Sequence, residues 1–136
     1  GAAGSQVIIS SVPIHHPHLI KPTSMIIMSQ GAYAKYVPIL APDGILLIDD
    51  KLVELTTDHR TDIKTYGLPA TQIAEIAGSN RAANTVMLGF WCAIVGTVSR
   101  EAMRQSVAES VPSKMLEMNL KVFDIGYEKG LEIIRG

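Results

Sequence analysis

Four short runs punctuate the first half of the chain: QVIIS (6–10), SMIIMS (24–29), GILLID (44–49) and DIKTYG (62–67). The middle two are nearly continuous in apolar character, the pattern of strands buried on both faces of a parallel sheet. Between them, SQGAYAKYVPIL gives Ala32, Tyr36 and Leu40 a helical spacing, with Pro38 limiting that helix to about two turns. The pattern predicts a βαβ unit.

After residue 67 the apolar period becomes helical throughout. Pro69 stands at a first helical position, Ile73 and Ile76 form an apolar stripe, and Gly78 falls where a C-cap belongs. A long apolar helix is predicted from about Asn80 to Val98. Ser99 then caps a third helix with Glu101 in its first turn; Met103 and Val107 form its buried face, and Val111-Pro112 ends it. Finally Leu116, Leu120, Phe123, Tyr127 and Leu131 recur at spacings of 4, 3, 4 and 4, a helix seam. The expected fold is α/β and Rossmann-like, a mostly parallel sheet with a helical C-terminal half, and residues 1–136 form one domain. Such sheets take ligands at the carboxyl ends of their strands, here Ser10-Ser11, Ser29-Gln30 and Asp49-Asp50.

Composition narrows the function. Of 136 residues, 47% are apolar and 18% charged, and the net charge of -1 offers no handle for nucleic acid or an anionic membrane. Cys92 is the only cysteine, so the chain builds neither a disulfide framework nor a cysteine set for iron–sulfur or zinc, and a reducing, cytoplasmic setting is expected. The longest apolar stretch, VMLGFWCAIVGTV at 86–98, is shorter than the roughly 20 residues that span a bilayer. No signal peptide pattern is visible, and a start at Gly1 suggests material missing in front.

Most candidate motifs weaken on inspection. His15, His16 and His18 in HHPH lack a fourth ligand for an ion and read as a solvated loop. Asp49-Asp50 resembles an acidic ribose grip, but GAAG at 1–4 precedes a strand instead of following one, so the aspartates read as capping the next turn. IMSQG lacks the first glycine of a nucleophile elbow around Ser29.

The stretch GSNRAANTVMLGF (78–90) is more telling. Arg81 sits in a first helical turn, where the helix dipole disfavours a cation. Asn80 and Asn84 share a face beside it, so this mouth suits an anion or a partner's carboxylates. The plainer alternative is that Asn80 caps, Asn84 bonds a neighbouring strand and Arg81 lies in water.

Taken in order, VIISSVPI, MIIMSQGAYAKYV, GILLIDDKLV, YGLPATQIAEIAGSNRAANTVMLGF, VSREAM and NLKVFDIGYEKG resemble the gamma subunit, or gamma domain, of the 2-oxoacid:ferredoxin (acceptor) oxidoreductases. The likeness covers roughly residues 6 to 130, and Gly67 to Gly89 is its most specific part. It leans toward the 2-oxoglutarate-acting branch, although pyruvate and branched-chain enzymes share most of it. Two departures stand out: the family's first βα unit with its Gly-Gly-Gln-Gly-like turn is missing, and His15-His16 replaces a frequent Asp-Tyr-like pair.

The resemblance implies a non-redox subunit, inactive alone, within an enzyme that oxidatively decarboxylates a 2-oxoacid to an acyl-CoA and reduces ferredoxin. Thiamine diphosphate, magnesium and iron–sulfur clusters would sit on alpha, beta and ferredoxin-like delta partners, with coenzyme A contact possible here. Ser29, Gln30 and Tyr33 are the expected ligand-facing strand end, and Asn80, Arg81 and Asn84 the expected interface or anion site; no catalytic or metal residue is assigned. The rival is a stand-alone Rossmann-like small-molecule binding module. A subunit should bare an apolar patch of a few hundred Å², with Tyr33, Tyr36 and Trp91 the residues to inspect.

Overall fold

The structure, a computed structural model, describes residues 21–136. The expected strand at 6–10 and His15, His16 and His18 lie outside these residues. Strands β1 (Ser24–Ile27), β2 (Ile45–Asp49) and β3 (Lys64–Leu68) form a parallel sheet in the order β1-β2-β3. Ile26 stands opposite Leu47, and Leu47 opposite Tyr66. The strand pleat then sends alternate residues to opposite faces, and both faces are covered.

Each crossover moves one strand in the same direction, so the right-handed rule puts both connections on one side of the sheet. That side packs Ile27, Leu46 and Ile48 against Tyr33, Val37 and Leu40, with Val53 and Ile63 from the second connection. Helix α1 (Gln30–Tyr36) continues as a 3-10 turn over Val37–Ile39, where Pro38 ends the helical run as expected. The second connection, residues 50–63, contains no helix.

The opposite face buries Leu47 and Leu68, and partly covers Ile26, under α2 (Ala70–Ala77) and α3 (Ala83–Val95), chiefly through Val86, Met87 and Phe90. Pro69 occupies the cap position of α2, one residue earlier than predicted. At the other end Gly78 adopts φ 129°, a left-handed value open to glycine. The Ser79 and Gly78 N–H groups donate to the Ala74 and Glu75 carbonyls at 3.0 and 3.1 Å, a Schellman motif.

The long helix predicted over Asn80–Val98 is shorter. Its start is a 3-10 turn, Asn80–Ala82, and it stops at Gly96, whose φ of 72° turns the chain into the left-handed region. Helix α4 (Arg100–Ser110) begins as expected, with Ser99 Oγ accepting from Ala102 N at 3.1 Å; Val107 is buried and Met103 partly so. Helix α5 (Leu116–Arg135) completes the chain.

The seam of α5 is rotated from the predicted one. Leu116, Leu120, Tyr127 and Leu131 are half-buried, while Asn119, Val122, Phe123, Gly126 and Gly130 face the core. Glycine explains the rotation. A Cβ on Gly126 would lie 2.9 Å from the Val86 carbonyl carbon and 3.1 Å from Phe90 N; one on Gly89 would lie 2.9 Å from Tyr127 N. The α3 and α5 backbones therefore touch where these glycines cross. Beside the crossing, Thr85 donates to Asn119 Oδ1 at 2.8 Å and Asn119 Nδ2 donates to the Met115 carbonyl at 2.9 Å.

Candidate functional site

The carboxyl edge of the sheet is organised by side chains in place of a crossover helix. Ser29 is extended (φ -145°, ψ 152°) and its Oγ accepts from Ala32 N at 3.2 Å, so its first use is to cap α1. Gln30 mimics a strand partner: its Nε2 donates to the Glu54 carbonyl at 2.9 Å and its Oε1 accepts from Glu54 N at 2.8 Å. Tyr33 is buried, with its hydroxyl 2.6 Å from His59 Nδ1, and His59 Nε2 lies 2.9 Å from Thr65 Oγ1. Arg60 completes the fastening by donating to the Val37 and Leu40 carbonyls at 2.9 and 2.7 Å while gripping Asp62 with its other nitrogens.

The three residues expected at the ligand-facing strand end thus lie together at the start of α1, where Ser29 caps the helix and the polar groups of Gln30 and Tyr33 clasp the β2–β3 connection. Ser29 and Gln30 remain exposed beside that clasp. His59 was not singled out in the sequence, because TTDHRTD reads only as a polar loop and nothing local marks its pairing with Tyr33.

Asp49 is the buried charge at this edge, fully enclosed. Its Oδ2 accepts from Thr71 N and Thr71 Oγ1 at 2.9 and 2.7 Å, and its Oδ1 accepts from Lys51 N at 3.1 Å. The carboxylate does cap the next turn, as the sequence suggested. It also sits on the positive end of α2, an anion where the helix dipole favours one.

Asn80, Arg81 and Asn84 gather at the junction of α2 and α3, and all three are exposed. Ser79, not Asn80, supplies the cap, its Oγ accepting from Arg81 N at 3.2 Å. The Arg81 guanidinium finds no hydrogen-bond or carboxylate partner among the described residues. The eight residues of α2, about 12 Å of helix, separate this mouth from the carboxyl edge, so the two candidate sets do not form one pocket.

Other reactive groups are occupied. Cys92 is buried and its Sγ donates to the Val98 carbonyl at 3.2 Å; burial pushes its thiol above the ordinary value, leaving it protonated and unreactive at neutral pH. Hydrogen bonds from Arg104 hold the Asp124 carboxyl below the usual range, with Arg100 adding to the effect. Among the described residues, no group of three or more His, Cys, Asp or Glu is placed to hold a metal, and no helix is long and apolar enough to cross a membrane. The aromatic residues picked out for inspection are not exposed. Tyr33 is buried, and Tyr36 and Trp91 are half-buried, with Trp91 Nε1 donating to Ser24 Oγ at 2.9 Å. Among the described residues, the large apolar side chain most open to solvent is Ile76, at 85%.

A parallel sheet covered on both faces, with polar groups at its carboxyl edge, defines an α/β domain of the Rossmann-like class. Residues 1–129 match the family described as Pyruvate ferredoxin/flavodoxin oxidoreductase, and the chain belongs to that family. It is 38% identical over 134 residues to the 2-oxoglutarate synthase subunit KorC of Methanocaldococcus jannaschii, covering 98% of this chain and 72% of that protein. It is also similar to the gamma subunit of a keto/oxoacid ferredoxin oxidoreductase from Geobacter sulfurreducens. There the TM-score is 0.74 and the identity 33%, over 81% of this chain and 64% of that one. The same fold recurs in the 2-oxoglutarate:ferredoxin oxidoreductase of Magnetococcus marinus, solved with 2-oxoglutarate, coenzyme A and succinyl-CoA bound. That match has a TM-score of 0.70 at 18% identity, and takes in 82% of this chain but only 20% of that one. The α/β, Rossmann-like architecture read from the sequence, and the resemblance to the gamma subunits, are both borne out.

Proposed function

We propose that this chain is the gamma-type subunit of a multi-subunit 2-oxoacid:ferredoxin oxidoreductase that converts 2-oxoglutarate and coenzyme A to an acyl-CoA. The observation that carries the reading is the family match over residues 1–129, joined to 38% identity with a 2-oxoglutarate synthase subunit across nearly the whole chain. In this reading residues 1–136 act as one domain in the cytoplasm. Its partners are alpha and beta subunits and a ferredoxin-like delta subunit, and ferredoxin takes the electrons.

The donor set supports a role without redox chemistry. An iron–sulfur cluster needs several thiolates, and the single cysteine here is buried and committed to a carbonyl. Clusters, thiamine diphosphate and magnesium therefore belong to the partners in this reading. The Arg81 mouth does fit an anionic group: an exposed guanidinium without a carboxylate of its own, flanked by two amides, takes a carboxylate or phosphate by charge-assisted hydrogen bonds. We assign Asn80, Arg81 and Asn84 to the partner interface, with the phosphates of coenzyme A as the other anion of matching chemistry. Ser29, Gln30 and Tyr33 make up the strand end that would face a ligand in this reading, Ser29 by capping α1 and Gln30 and Tyr33 by holding the 50–63 connection against it.

Purification of the native protein from its own cells tests this. Thiamine- and cluster-binding chains should co-elute with it, and viologen reduction by that fraction should require coenzyme A and be fastest with 2-oxoglutarate. A single chain inert toward every 2-oxoacid would refute the proposal.

A further inference from the structure

Helix α4 is fastened differently from its neighbours. Of its 11 residues only Val107 is buried; Arg100, Met103, Arg104 and Ala108 are half-buried and the rest exposed. Helix α3, by contrast, buries eight of its 13 residues. Charge supplies the rest of the α4 attachment. Arg104 grips the Asp124 carboxylate of α5 through two nitrogens, each at 3.0 Å, and Arg100 reaches the same carboxylate at 3.2 Å. Arg100 also lies 3.6 Å from Glu128 Oε1 and 4.5 Å above the Tyr127 ring. These ionic side chains are 33% to 57% exposed, so water and salt weaken every pair.

Beneath α4 lie Phe123 and Cys92, in one cluster with Val107 and Met103. Cys92 Sγ donates to the Val98 carbonyl in the segment leading into α4, and the charges of Arg100 and Glu101 both act on its thiol. The first turns of α4 therefore cover this sulfur. The helix hangs between two turning points, the left-handed Gly96 and the extended Val111-Pro112.

We propose that α4 is a hinged flap, latched to α5 by Arg100 and Arg104 on Asp124, that swings off α3 and α5 while the rest of the chain stays folded. Opening pivots the chain at Gly96 and Pro112, parts the guanidinium–carboxylate bonds and withdraws Val107. Phe123 and Cys92 then meet solvent, and the thiol recovers the reactivity that burial suppresses. Such local openings draw on elements with few buried apolar contacts. Because the latch is ionic and partly exposed, ionic strength sets how often the flap opens. Cys92 is the reporter of the opening and is assigned no ligand. The inference stands apart from the subunit reading, since it uses only contacts within this chain.

Alkylation by iodoacetamide, a neutral reagent, tests this on the full chain in its native preparation. The peptide carrying Cys92 is followed by mass spectrometry, and its rate is divided by that of the urea-unfolded chain at the same salt. Raising sodium chloride from about 0.05 M to about 0.5 M should increase that ratio about threefold. Asp124→Asn should increase it about fivefold at low salt and remove most of the salt response. Low urea should speed labelling with a slope well below that of global unfolding, because a flap exposes only a small part of the surface. A labelling slope equal to the global one would place the exposure in complete unfolding and overturn the inference. So would a rate indifferent to both salt and Asp124→Asn, which would leave apolar packing as the fastening.

Discussion

Gly126→Ala is the most demanding test of the helix crossing at the centre of the fold. The new Cβ would press on the Val86 carbonyl oxygen well inside van der Waals contact, and would lie 2.9 Å from the carbonyl carbon and 3.1 Å from Phe90 N. These are backbone atoms in the middle of α3, so no rotamer change relieves them and the two helices must separate. Overpacking of a tight core costs about 1–3 kcal/mol, and separation of α3 from α5 puts this case at or beyond the upper end. Alanine recovers about 1 kcal/mol over glycine through helix propensity. The net loss is about 2 kcal/mol or more, and at about 4 °C per kcal/mol for a chain of this length the melting temperature should fall by about 8 °C. Gly31→Ala is the control. Its Cβ would meet nothing within 4 Å, and it should match or slightly exceed wild type. Thermal unfolding followed by circular dichroism gives both values. If Gly126→Ala melts within about 2 °C of wild type, the inference that the α3 and α5 backbones meet here is refuted.

Arg81→Ala should weaken assembly or raise the apparent coenzyme A requirement while leaving the melting temperature unchanged; a large fall in melting temperature would make Arg81 a fold contact instead. Asp49→Asn turns one of two accepting oxygens into a donor, facing either the Thr71 or the Lys51 donors, and should cost about 1–3 kcal/mol in urea unfolding; a loss below about 0.5 kcal/mol would show that the carboxylate does not anchor α2. Asp124 gives a pH dependence. Because the hydrogen bonds from Arg104 depress its folded pKa, its stabilisation is present above the ordinary carboxylate value and is lost as pH falls through the lowered one. The stability gap between wild type and Asp124→Asn should therefore narrow as pH falls below the ordinary carboxylate range, and a constant gap would remove Asp124 as its source.

Much of the architecture follows from short-range pattern. Near-continuous apolar runs mark β1 and β2 because both faces of a parallel strand are buried, and Ser99 and Gly78 mark helix ends through local hydrogen bonding. Where the sequence misleads, the cause is contact at a distance. The α5 seam looks leucine-lined because an apolar count treats Gly126 and Gly130 as gaps, whereas the close approach of α3 makes them its centre. Tyr33 looks like an aromatic available to a partner until His59, 26 residues away, takes its hydroxyl. At the candidate site the polarity of Asn80, Arg81 and Asn84 was legible because exposure there follows from a turn. The clasp from Gln30 to Glu54 was not, since a glutamine that pairs with a backbone 24 residues on leaves no periodic trace.

The shared handedness of the two crossovers bears on how the chain folds as it is made. Among the described residues, those through 68 hold strands β1 to β3 and the cover for one side of the sheet, while Ile26, Leu47 and Leu68 on the other side still lack the α2 and α3 side chains that cover them. Val86, Met87 and Phe90, which close that side, emerge roughly twenty residues later, one to four seconds at about 5–20 residues per second. During that interval the nascent chain carries a bare, strand-rich apolar surface. Chaperone capture and misassociation should concentrate in this interval, and changes that delay α3, far from any ligand, should lower yield without altering the finished molecule.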